Sequence, residues 1–336
     1  MGFWAGRSVF VTGATGLLGG WLVPALLRRG ANVVALVRDS VPRSLLVSEG
    51  WLDRVVSVKG SLTDERLIRR CLAEYSVETV FHLGAQTQVG VARVDPVGTL
   101  EANVQGTWTV LEACRRSGVR QVLVASSDKA YGDSAQLPYR EDSPLRGKYP
   151  YEVSKSCADL IATMYAATFA VPAAIVRCGN LFGGGDLNFD RLIPGVIQSA
   201  LRGERFLMRS DGNSVRDFLY VEDAVDAYLR LAERLAEDPS LSGEAFNFGL
   251  ELRLTMIELV RKILTMMGRP DLRPVIQNIA SLEIREQYLD ASKAAGRLGW
   301  SPRYGMDEGL QRTIDWYRAF LSSESPSETL AAAAPA

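Results

Sequence analysis

The 336-residue sequence has little of what metal sites and disulfides require, since it contains four cysteines and a single histidine. The cysteines lie far apart and form no C-x-x-C pair, so together with His82 they make no recognisable metal site. Such scattered cysteines are typical of a reducing compartment such as the cytoplasm. The cysteines concerned are Cys71, Cys114, Cys157 and Cys178.

Long hydrophobic runs and an excess of one charge are missing as well. No stretch reaches about 18 uninterrupted apolar residues, and residues 1–11 lack the basic and then apolar pattern of a signal peptide. Lys and Arg total 38 against 39 for Asp and Glu, so charge favours neither nucleic acid nor an anionic membrane as partner. With 47% apolar residues, we expect a soluble, cytoplasmic globular protein.

What the sequence does contain is an alternation of short β-branched runs with longer helical patterns. The near-continuous apolar runs predict strands that helices cover on both faces, and the β-α-β order predicts an α/β fold with a doubly wound parallel sheet of the Rossmann type. The predicted strands are Ser8–Thr12, Asn32–Val37, Val55–Lys59, Thr79–Leu83, Gln121–Ala125, Ala173–Arg177 and Ala245–Phe248. The predicted helices are Leu17–Arg29, Asp64–Glu74, Thr99–Ser117, Tyr151–Ala170, Val221–Arg234 and Thr255–Met267.

The alternation breaks off after the sixth strand, which predicts two structural units. The first covers residues 1–178, and we expect residues 217–249 to return to it. Residues 179–216 and 250–320 are predicted to form a smaller, mostly C-terminal α/β lobe. Residues 321–336 are poor in bulky apolar side chains, so we expect a disordered tail there.

The first predicted strand runs into a glycine-rich turn, VFVTGATGLLGG, that opens the first predicted helix. Gly13 permits the tight turn, Gly16 lets the backbone approach a pyrophosphate, and Gly19 lets the helix pack on the strand. The amino end of the helix then presents unpaired N–H groups to the phosphates. In this setting the glycines predict a dinucleotide site rather than a merely tight turn.

The second predicted strand ends next to Arg38 and Asp39, where the ribose of a dinucleotide is expected. An acidic residue here would bind the ribose hydroxyls of NAD, whereas an arginine would bind the 2′-phosphate of NADP. The sequence offers both side chains. We favour Asp39 and therefore NAD, with NADP as the alternative.

A tyrosine and a lysine stand four residues apart at the start of a predicted helix, so Tyr151 and Lys155 lie on one face. A phenol normally titrates with a pKa of about 10. A nearby ammonium and a nicotinamide cation favour the phenolate, which makes Tyr151 a usable base near neutral pH. Tyr149 is not a rival, because Val153 stands four residues after it. We predict a catalytic pair rather than a helix with a solvated lysine.

A polar run follows the fifth predicted strand directly, with Ser126, Ser127, Asp128 and Lys129 in succession. Residues just past the carboxyl ends of parallel strands line the ligand crevice of an open sheet. We therefore expect these side chains to face the same crevice as Tyr151. The alternative is an ordinary solvated loop, for which this composition is also typical.

These motifs carry a resemblance to a known family. The segments are TGATGLLGG, VFHLGAQ (Val80–Gln86), ANVQGTWTVLEAC (Ala102–Cys114), ASSDKAYGD, PYEVSK and RDFLYVEDAVDAYL. From about residue 6 to 320, the chain resembles the extended short-chain dehydrogenase/reductases, and among them the NAD-dependent nucleotide-sugar epimerase/dehydratase family. It looks most like the CDP-glucose 4,6-dehydratase branch, to which FWAGRSVFVTG, the SDK triplet and CGNLFGGGDLNFDRLIP are similar.

The resemblance implies which residues bind NAD and a nucleoside diphosphate sugar. For substrate it implies Thr87, Asn180, Arg191 and Arg216, with Glu283 and Arg285 as candidates for a further contact. For catalysis it implies Ser127, at the sugar O4 beside Tyr151, together with Asp128, Lys129 and Lys155. For the cofactor it implies Gly13, Thr15, Gly16, Leu17, Leu18, Gly19, Arg38, Asp39, Ser61, Leu62, Leu83, Gly84, Ala85, Gln86, Asn103, Ser126, Tyr151, Lys155 and Cys178.

The resemblance also implies a homodimer, because similar enzymes pair through the helices that correspond to Thr99–Ser117 and Tyr151–Ala170. Leu160, Ile161 and Met164 either form such an interface or belong to the core, which is the commoner place for apolar helix residues.

At three places the chain departs from the family pattern. Ser61 stands where the family usually has an adenine-binding aspartate. PYEVSK is closer to the epimerases than to the dehydratase branch. The C-terminal arginine that often binds the nucleotide diphosphate is not recognisable between residues 280 and 290. These departures bear on the identity of the nucleotide and on the net reaction.

Two reactions of the family begin alike, when Tyr151 removes the O4 proton, hydride passes from C4 to NAD, and a 4-keto sugar forms. A 4,6-dehydratase then needs a base at C5 and an acid for the leaving C6 hydroxyl, and Lys129 and Asp128 suit these roles. A 4-epimerase needs neither, because hydride returns to C4. The charged pair places the dehydratase first and the epimerase second. A redox-sensing regulator is the third alternative, disfavoured because Ser127, Tyr151 and Lys155 are all present.

Overall fold

The computed structural model describes residues 2–279 and 284–322. In chain order its strands are β1 (Ser8–Thr12), β2 (Asn32–Val37), β3 (Val56–Lys59), β4 (Thr79–His82), β5 (Gln121–Ala125), β6 (Ala173–Cys178), β7 (Asn180–Phe182), β8 (Leu207–Met208), β9 (Val215–Arg216), β10 (Phe218–Tyr220), β11 (Ala245–Phe248), β12 (Leu254–Thr255), β13 (Val275–Ile276) and β14 (Glu286–Gln287). The α-helices are α1 (Leu17–Arg28), α2 (Leu45–Ser48), α3 (Glu65–Glu74), α4 (Val89–Val94), α5 (Pro96–Leu100), α6 (Gly106–Ser117), α7 (Pro150–Phe169), α8 (Leu192–Leu201), α9 (Val221–Glu237), α10 (Met256–Met266), α11 (Ser292–Leu298) and α12 (Met306–Ser322).

Seven strands form one parallel sheet in the order β11-β6-β5-β4-β1-β2-β3. The predicted doubly wound sheet is thus confirmed, and the strand predicted at Ala245–Phe248 joins it beside β6. All carboxyl ends of these strands meet at one edge, where an open α/β sheet binds its ligands. None of the helices between residues 2–279 and 284–322 has the length and apolar character needed to cross a membrane.

Alternating side chains of the sheet build two hydrophobic cores, one on each face. On β1, Val9 and Val11 join a cluster that includes α1 and α9, whereas Phe10 joins a cluster with α3, α6 and α7. Because successive side chains of a strand point to opposite faces, a fully apolar strand is buried only when helices cover both.

The prediction that β3 is a buried strand is wrong. This strand pairs only with β2, at the edge of the sheet, and Val56 is 40% exposed. An edge strand has only one neighbouring strand, so its side chains are less covered than those of a central strand. Of the apolar residues of β3, Val58 packs partly against the core.

The smaller lobe has its own apolar cluster, built around α8, α10 and α12. A short sheet in the order β12-β9-β14 lies beside it, and β10 pairs in parallel with β7. Helix α12 continues through Ser322, two residues into the segment for which we expected a tail, and residues 323–336 lie outside the described residues. The helix predicted at Thr99–Ser117 contains a π-helical turn at Glu101–Gln105 before α6 begins.

Candidate active site

The glycine turn between β1 and α1 is crowded by backbone on two sides. Gly13 has a φ of +72°, and a side-chain carbon there would lie 2.7 Å from the backbone nitrogen of Gly84. At Gly19 such a carbon would lie 2.2 Å from the carbonyl oxygen of Gly13. Gly13 is therefore required for its left-handed backbone, and Gly19 for the close packing of α1 on the turn.

Gly16 differs, because it is exposed and less crowded. A side-chain carbon added there would have one neighbour within 4 Å, the carbonyl oxygen of Gly13 at 3.3 Å. Helix α1 begins directly after Gly16, and within the described residues no side chain caps this end or adds a carboxylate to the first turn. Its N–H groups and the positive end of its dipole therefore suit a diphosphate.

Two polar groups at the carboxyl end of β5 extend this crevice. Ser126 Oγ is buried and has no hydrogen-bond partner among residues 2–279 and 284–322. Lys155 Nζ donates a hydrogen bond to the Ala125 carbonyl oxygen at 2.9 Å. An unpaired hydroxyl and a buried ammonium beside a diphosphate-binding turn fit the polar groups of a nicotinamide nucleotide, so the residues present fit NAD.

Arg38 and Asp39 lie at the end of β2 as an exposed ion pair, with Arg38 Nε 2.5 Å from Asp39 Oδ2. Their side chains are 73% and 60% exposed, so either is accessible to an adenosine ribose. Ser61 Oγ is 2.9 Å from Thr63 Oγ1, and the side chain of Leu62 lies against Gly84 and Gly106. The Asp39 carboxylate balances the charge of Arg38, which weakens the attraction of this corner for a 2′-phosphate.

We expect the chain to bind NAD in preference to NADP, because Asp39 repels the added phosphate while its oxygens accept from ribose hydroxyls. Gly16→Val should lose binding of both dinucleotides, since its side chain would occupy the space of the diphosphate. Calorimetric titration with NAD and NADP checks both results. The matched control is Gly305→Val, since Gly305 also stands directly before a helix, α12, and an added side-chain carbon there has no neighbouring atom within 4 Å. A clear preference for NADP would mean that Arg38, rather than Asp39, binds the adenosine ribose.

The remaining cofactor candidates line the crevice or the core beneath it. Leu17, Leu18 and Leu83 are half-buried against apolar clusters, and Cys178 is buried within one. Thr15 and Ala85 are half-buried. These residues stand at or just after the carboxyl ends of β1, β4 and β6, and therefore at one edge of the sheet.

Helix α7 positions the tyrosine and lysine. Pro150 occupies its first turn, and the Glu152 carboxylate accepts from the backbone N–H groups of Lys148 and Tyr149, which fixes where the helix begins. Tyr151 and Lys155 then lie one turn apart, facing the end of β5. Lys155 is buried, and burial lowers its pKa to about 8, partly offset by the nearby carboxylate of Asp159.

The pKa of Tyr151 is raised, whereas we expected it to be lowered. Burial raises it to about 12, while the positive charge of Arg191 and a hydrogen bond with Ser127 lower it and the Asp128 carboxylate raises it. Lys155 is not among these causes. The groups of the protein therefore keep Tyr151 protonated, and the positive charge of an oxidised nicotinamide is needed to favour the phenolate.

Asp128, which is buried, and Lys129, which is partly buried, form a second pair beside Ser127. Lys129 Nζ lies 3.2 Å from both Asp128 carboxylate oxygens and 3.4 Å from Asn180 Oδ1. Ser127 Oγ donates to Asp128 Oδ1 at 3.0 Å. Burial lowers the pKa of Lys129, Asp128 opposes this shift, and the positive charge of Arg216 adds to it. The pair thus belongs to a closed polar cluster, not to a solvated loop.

Asn103 joins the cofactor side to the catalytic helix. Its Oδ1 accepts from the Gln86 backbone N–H at 2.7 Å, and its Nδ2 donates to the Gln86 carbonyl at 2.9 Å and to Ser154 Oγ at 2.9 Å. Ser154 in turn donates to the Tyr151 carbonyl at 2.7 Å. The π-helical turn that carries Asn103 re-aims its side chain toward α7, which a regular helical pattern does not predict.

The candidate substrate residues form two groups. Arg191 donates to Asp186 Oδ2 at 3.0 Å and to Thr87 Oγ1 at 3.2 Å, near Tyr151. Arg216 donates to the carbonyl oxygen of Arg285 at 3.4 Å, while the Arg285 side chain is exposed. Glu283 lies outside the described residues.

Sequence reasoning missed a hydrogen-bonded chain beneath the glycine turn. Thr12 Oγ1 accepts from the Gly84 N–H and lies 3.0 Å from His82 Nδ1, and His82 Nε2 lies 3.1 Å from Thr107 Oγ1. Burial, and then the charge of Lys155, lower the pKa of His82 to about 3. His82 is therefore neutral and ties β1, β4 and α6 together. The sequence signal for this role was the position of the single histidine at the end of an apolar strand.

A second missed residue is Asp217. Its buried carboxylate accepts from the backbone N–H groups of Phe218, Leu250, Glu251, Leu252 and Leu289 at 2.9–3.4 Å. Burial raises its pKa to about 6, although these hydrogen bonds lower it. Asp217 thus holds three separate segments around Arg216.

Comparisons with known proteins identify the family of the chain. The chain matches the model of the NAD dependent epimerase/dehydratase family over residues 9–249. It is 35% identical to the CDP-glucose 4,6-dehydratase of Salmonella typhimurium, with 96% of this chain and 93% of the relative covered. It is 32% identical to the UDP-glucose 4-epimerase of Mycolicibacterium smegmatis, with 92% and 97% covered. The solved structure of DesIV, a dTDP-glucose 4,6-dehydratase from Streptomyces venezuelae with NAD bound, is 29% identical and has a TM-score of 0.85, with 95% and 99% covered.

The Rossmann sheet, the glycine turn and the Tyr151–Lys155 pair together define an NAD-dependent α/β enzyme of the short-chain dehydrogenase/reductase type. The chain belongs to the NAD dependent epimerase/dehydratase family. The family resemblance inferred from the sequence motifs is thereby confirmed, and so is NAD as the cofactor.

Proposed function

We propose that the chain is a nucleotide-sugar 4,6-dehydratase that converts a CDP-glucose-like substrate into a 4-keto-6-deoxy sugar nucleotide. The observation that carries this proposal is the Asp128–Lys129 ion pair, in which Asp128 is buried and Lys129 partly buried. Ser127 donates a hydrogen bond to Asp128 and also bonds with Tyr151, so the pair lies on the same side of the crevice as the tyrosine. A reaction that only oxidises and reduces C4 does not require two charged groups at this place. The similarity to CDP-glucose and dTDP-glucose 4,6-dehydratases supports the same reaction.

In the first step, Tyr151 removes the proton from the sugar O4, and Ser127 holds the same oxygen by a hydrogen bond. The glycine turn would hold NAD, which would supply the hydride acceptor for oxidation at C4 and the hydride donor for reduction at C6. Lys155, whose ammonium is held at the Ala125 carbonyl, would bind the nicotinamide ribose, and the positive charge of the oxidised nicotinamide would favour deprotonation of the phenol.

In the second step, the C4 ketone acidifies the C5 proton, which Lys129 removes as a neutral amine. Asp128 donates a proton to the leaving C6 hydroxyl. Contact between the two groups supports these roles, because a proton that moves from the Lys129 ammonium to the Asp128 carboxylate creates both reactive forms at once. Burial lowers the pKa of Lys129, which favours its neutral amine.

We propose further that the two units divide the binding of the two molecules. Residues 1–178, with 217–249, would hold NAD, and residues 179–216 and 250–320 would hold the nucleoside diphosphate. Asn180 and Arg216 lie where the lobe meets the catalytic turn, since Lys129 contacts Asn180 and its pKa responds to Arg216. Arg191 and Thr87 would contact the sugar beside Tyr151.

The second candidate function is a nucleotide-sugar 4-epimerase, which the identity to a UDP-glucose 4-epimerase supports. Mass spectrometry of the products from CDP-, dTDP-, UDP- and GDP-glucose separates the two. The dehydratase releases a product lighter by one water, most readily from CDP-glucose. Products of unchanged mass from every substrate would replace this proposal with the epimerase.

We also propose that the chain is a homodimer. The outer side chains of α4, α5, α6 and α7 include exposed apolar residues that a monomer would leave in water, namely Val94, Val97, Trp108, Leu160 and Met164, whereas Ile161 packs against the core. Sedimentation equilibrium of the purified chain tests the dimer, and a monomer at micromolar concentration would contradict it.

A further inference from the structure

Gln287 lies on the C-terminal strand β14, yet it contacts the catalytic turn directly. Its side chain is fully buried, and Nε2 donates a hydrogen bond to the backbone carbonyl oxygen of Asp128 at 2.8 Å. Asp128 opens the short 3₁₀ turn Asp128–Tyr131, which also carries Lys129. One hydrogen bond therefore joins two segments that are 159 residues apart in the sequence.

The backbone of β14 is itself fixed from the substrate side. Gln287 pairs with Arg216 in the parallel register of β14 and β9, and its carbonyl oxygen accepts from the Asp217 N–H at 3.0 Å. Strand β9, which carries the candidate substrate residue Arg216, thus fixes the backbone of Gln287. Gln287 in turn fixes the turn that carries Asp128 and Lys129.

The amide of Gln287 is poorly suited to a purely structural task. Its Oε1 is buried and, among residues 2–279 and 284–322, has no hydrogen-bond partner. An unpaired buried acceptor costs stability, so a leucine or methionine would fill the same space more favourably. What an apolar side chain cannot supply is the N–H donor to the Asp128 carbonyl.

We propose that Gln287 is a positioning residue for the loss of water, a role that rests on the proposed 4,6-dehydratase function. By holding the Asp128 carbonyl, it fixes the orientation of the turn, so that the Asp128 carboxylate and the Lys129 amine keep their contact with each other and their alignment with C6 and C5. It contacts neither Tyr151 nor Lys155 in the hydrogen bonds of the described residues, so its loss should slow C4 oxidation much less than the loss of water.

The test is a single-turnover experiment on the full chain with NAD and CDP-glucose, in which the 4-keto-hexose and the dehydrated product are followed separately by mass spectrometry. In Gln287→Met, formation of the 4-keto-hexose stays near the wild-type rate. Water loss slows about 10- to 100-fold, the effect expected of a misplaced catalytic group, so the 4-keto-hexose accumulates. Gln287→Leu also lacks the donor, and it should show the same accumulation.

The matched control is Gln121→Met, which removes another buried glutamine. Gln121 begins β5, at the end of the strand away from the catalytic turn, and its Oε1 accepts from Thr79 and Arg7. This variant should lower the thermal unfolding temperature without changing the ratio of the two steps. If both steps slow in proportion in the Gln287 variants, or neither slows, Gln287 is only structural and the inference fails while the proposed function stands. If the wild-type chain releases no dehydrated product, the proposed function fails, and the role of Gln287 with it.

Discussion

Tyr151→Phe is expected to fold like the wild type and to lose about 10²–10⁴-fold in turnover, the usual contribution of a general base. The substitution removes one hydroxyl and little volume from a half-buried site, so packing around α7 is preserved. Without the phenol, no group on this face of α7 can take the O4 proton, and neither the 4-keto sugar nor any later product forms. Steady-state rates on CDP-glucose, together with the thermal unfolding temperature, measure this result.

Tyr149→Phe is the matched control, since Tyr149 stands just before α7 and Val153 takes the position one turn after it. This variant should retain near wild-type turnover. Substantial activity in Tyr151→Phe would mean that another group is the base, and the assignment of the Tyr151–Lys155 pair would fail.

Asp128→Asn and Lys129→Met are expected to stop the reaction after the first step. Asparagine cannot donate an acidic proton to the C6 hydroxyl, and methionine cannot remove the C5 proton, so each should slow water loss by about 10²–10⁴-fold. Oxidation at C4 uses neither group. A 4-keto-hexose should therefore accumulate in both variants, and Lys129→Met should abolish exchange of solvent deuterium into C5.

Two exposed residues of the same segment provide controls, Asp133→Asn and Lys148→Met, which should leave both steps unchanged. If Asp128→Asn and Lys129→Met keep near-normal rates and products keep the mass of the substrate, no acid and base act at C6 and C5. The epimerase would then be the better account.

The fold followed from the sequence because its signals are local and repeated. All seven strands of the main sheet lie within one residue of the predicted bounds, since a short apolar run marks each of them in the sequence. β3 was misjudged as buried because its apolar residues resemble those of a central strand, and its place at the edge depends on the order of pairing. The π-helical turn at Asn103 shifts side chains by a fraction of a turn, which a spacing rule does not register.

The residues of the site also fall into two groups, those that a short motif reveals and those that it does not. Tyr151, Lys155 and the glycine turn stand in short motifs, so each could be named from its neighbours in the sequence. Gln287 stands in no such motif, and the RDFLYVEDAVDAYL motif that contains Asp217 does not reveal its role, because the partners of both residues lie on segments brought together by the lobe. The raised pKa of Tyr151 was also missed, since spacing predicts which side chains share a face and not how far burial outweighs a neighbouring charge.

The most direct test of the central claim is the fate of the hydrogen on C4. We would incubate the wild-type chain and NAD with CDP-glucose that carries deuterium at C4 and locate the label in the product by NMR. A 4,6-dehydratase transfers that hydrogen to C6, so the product should be a 4-keto-6-deoxy sugar with deuterium on its methyl group. Label that remains on C4, in a product of unchanged mass, would contradict the account.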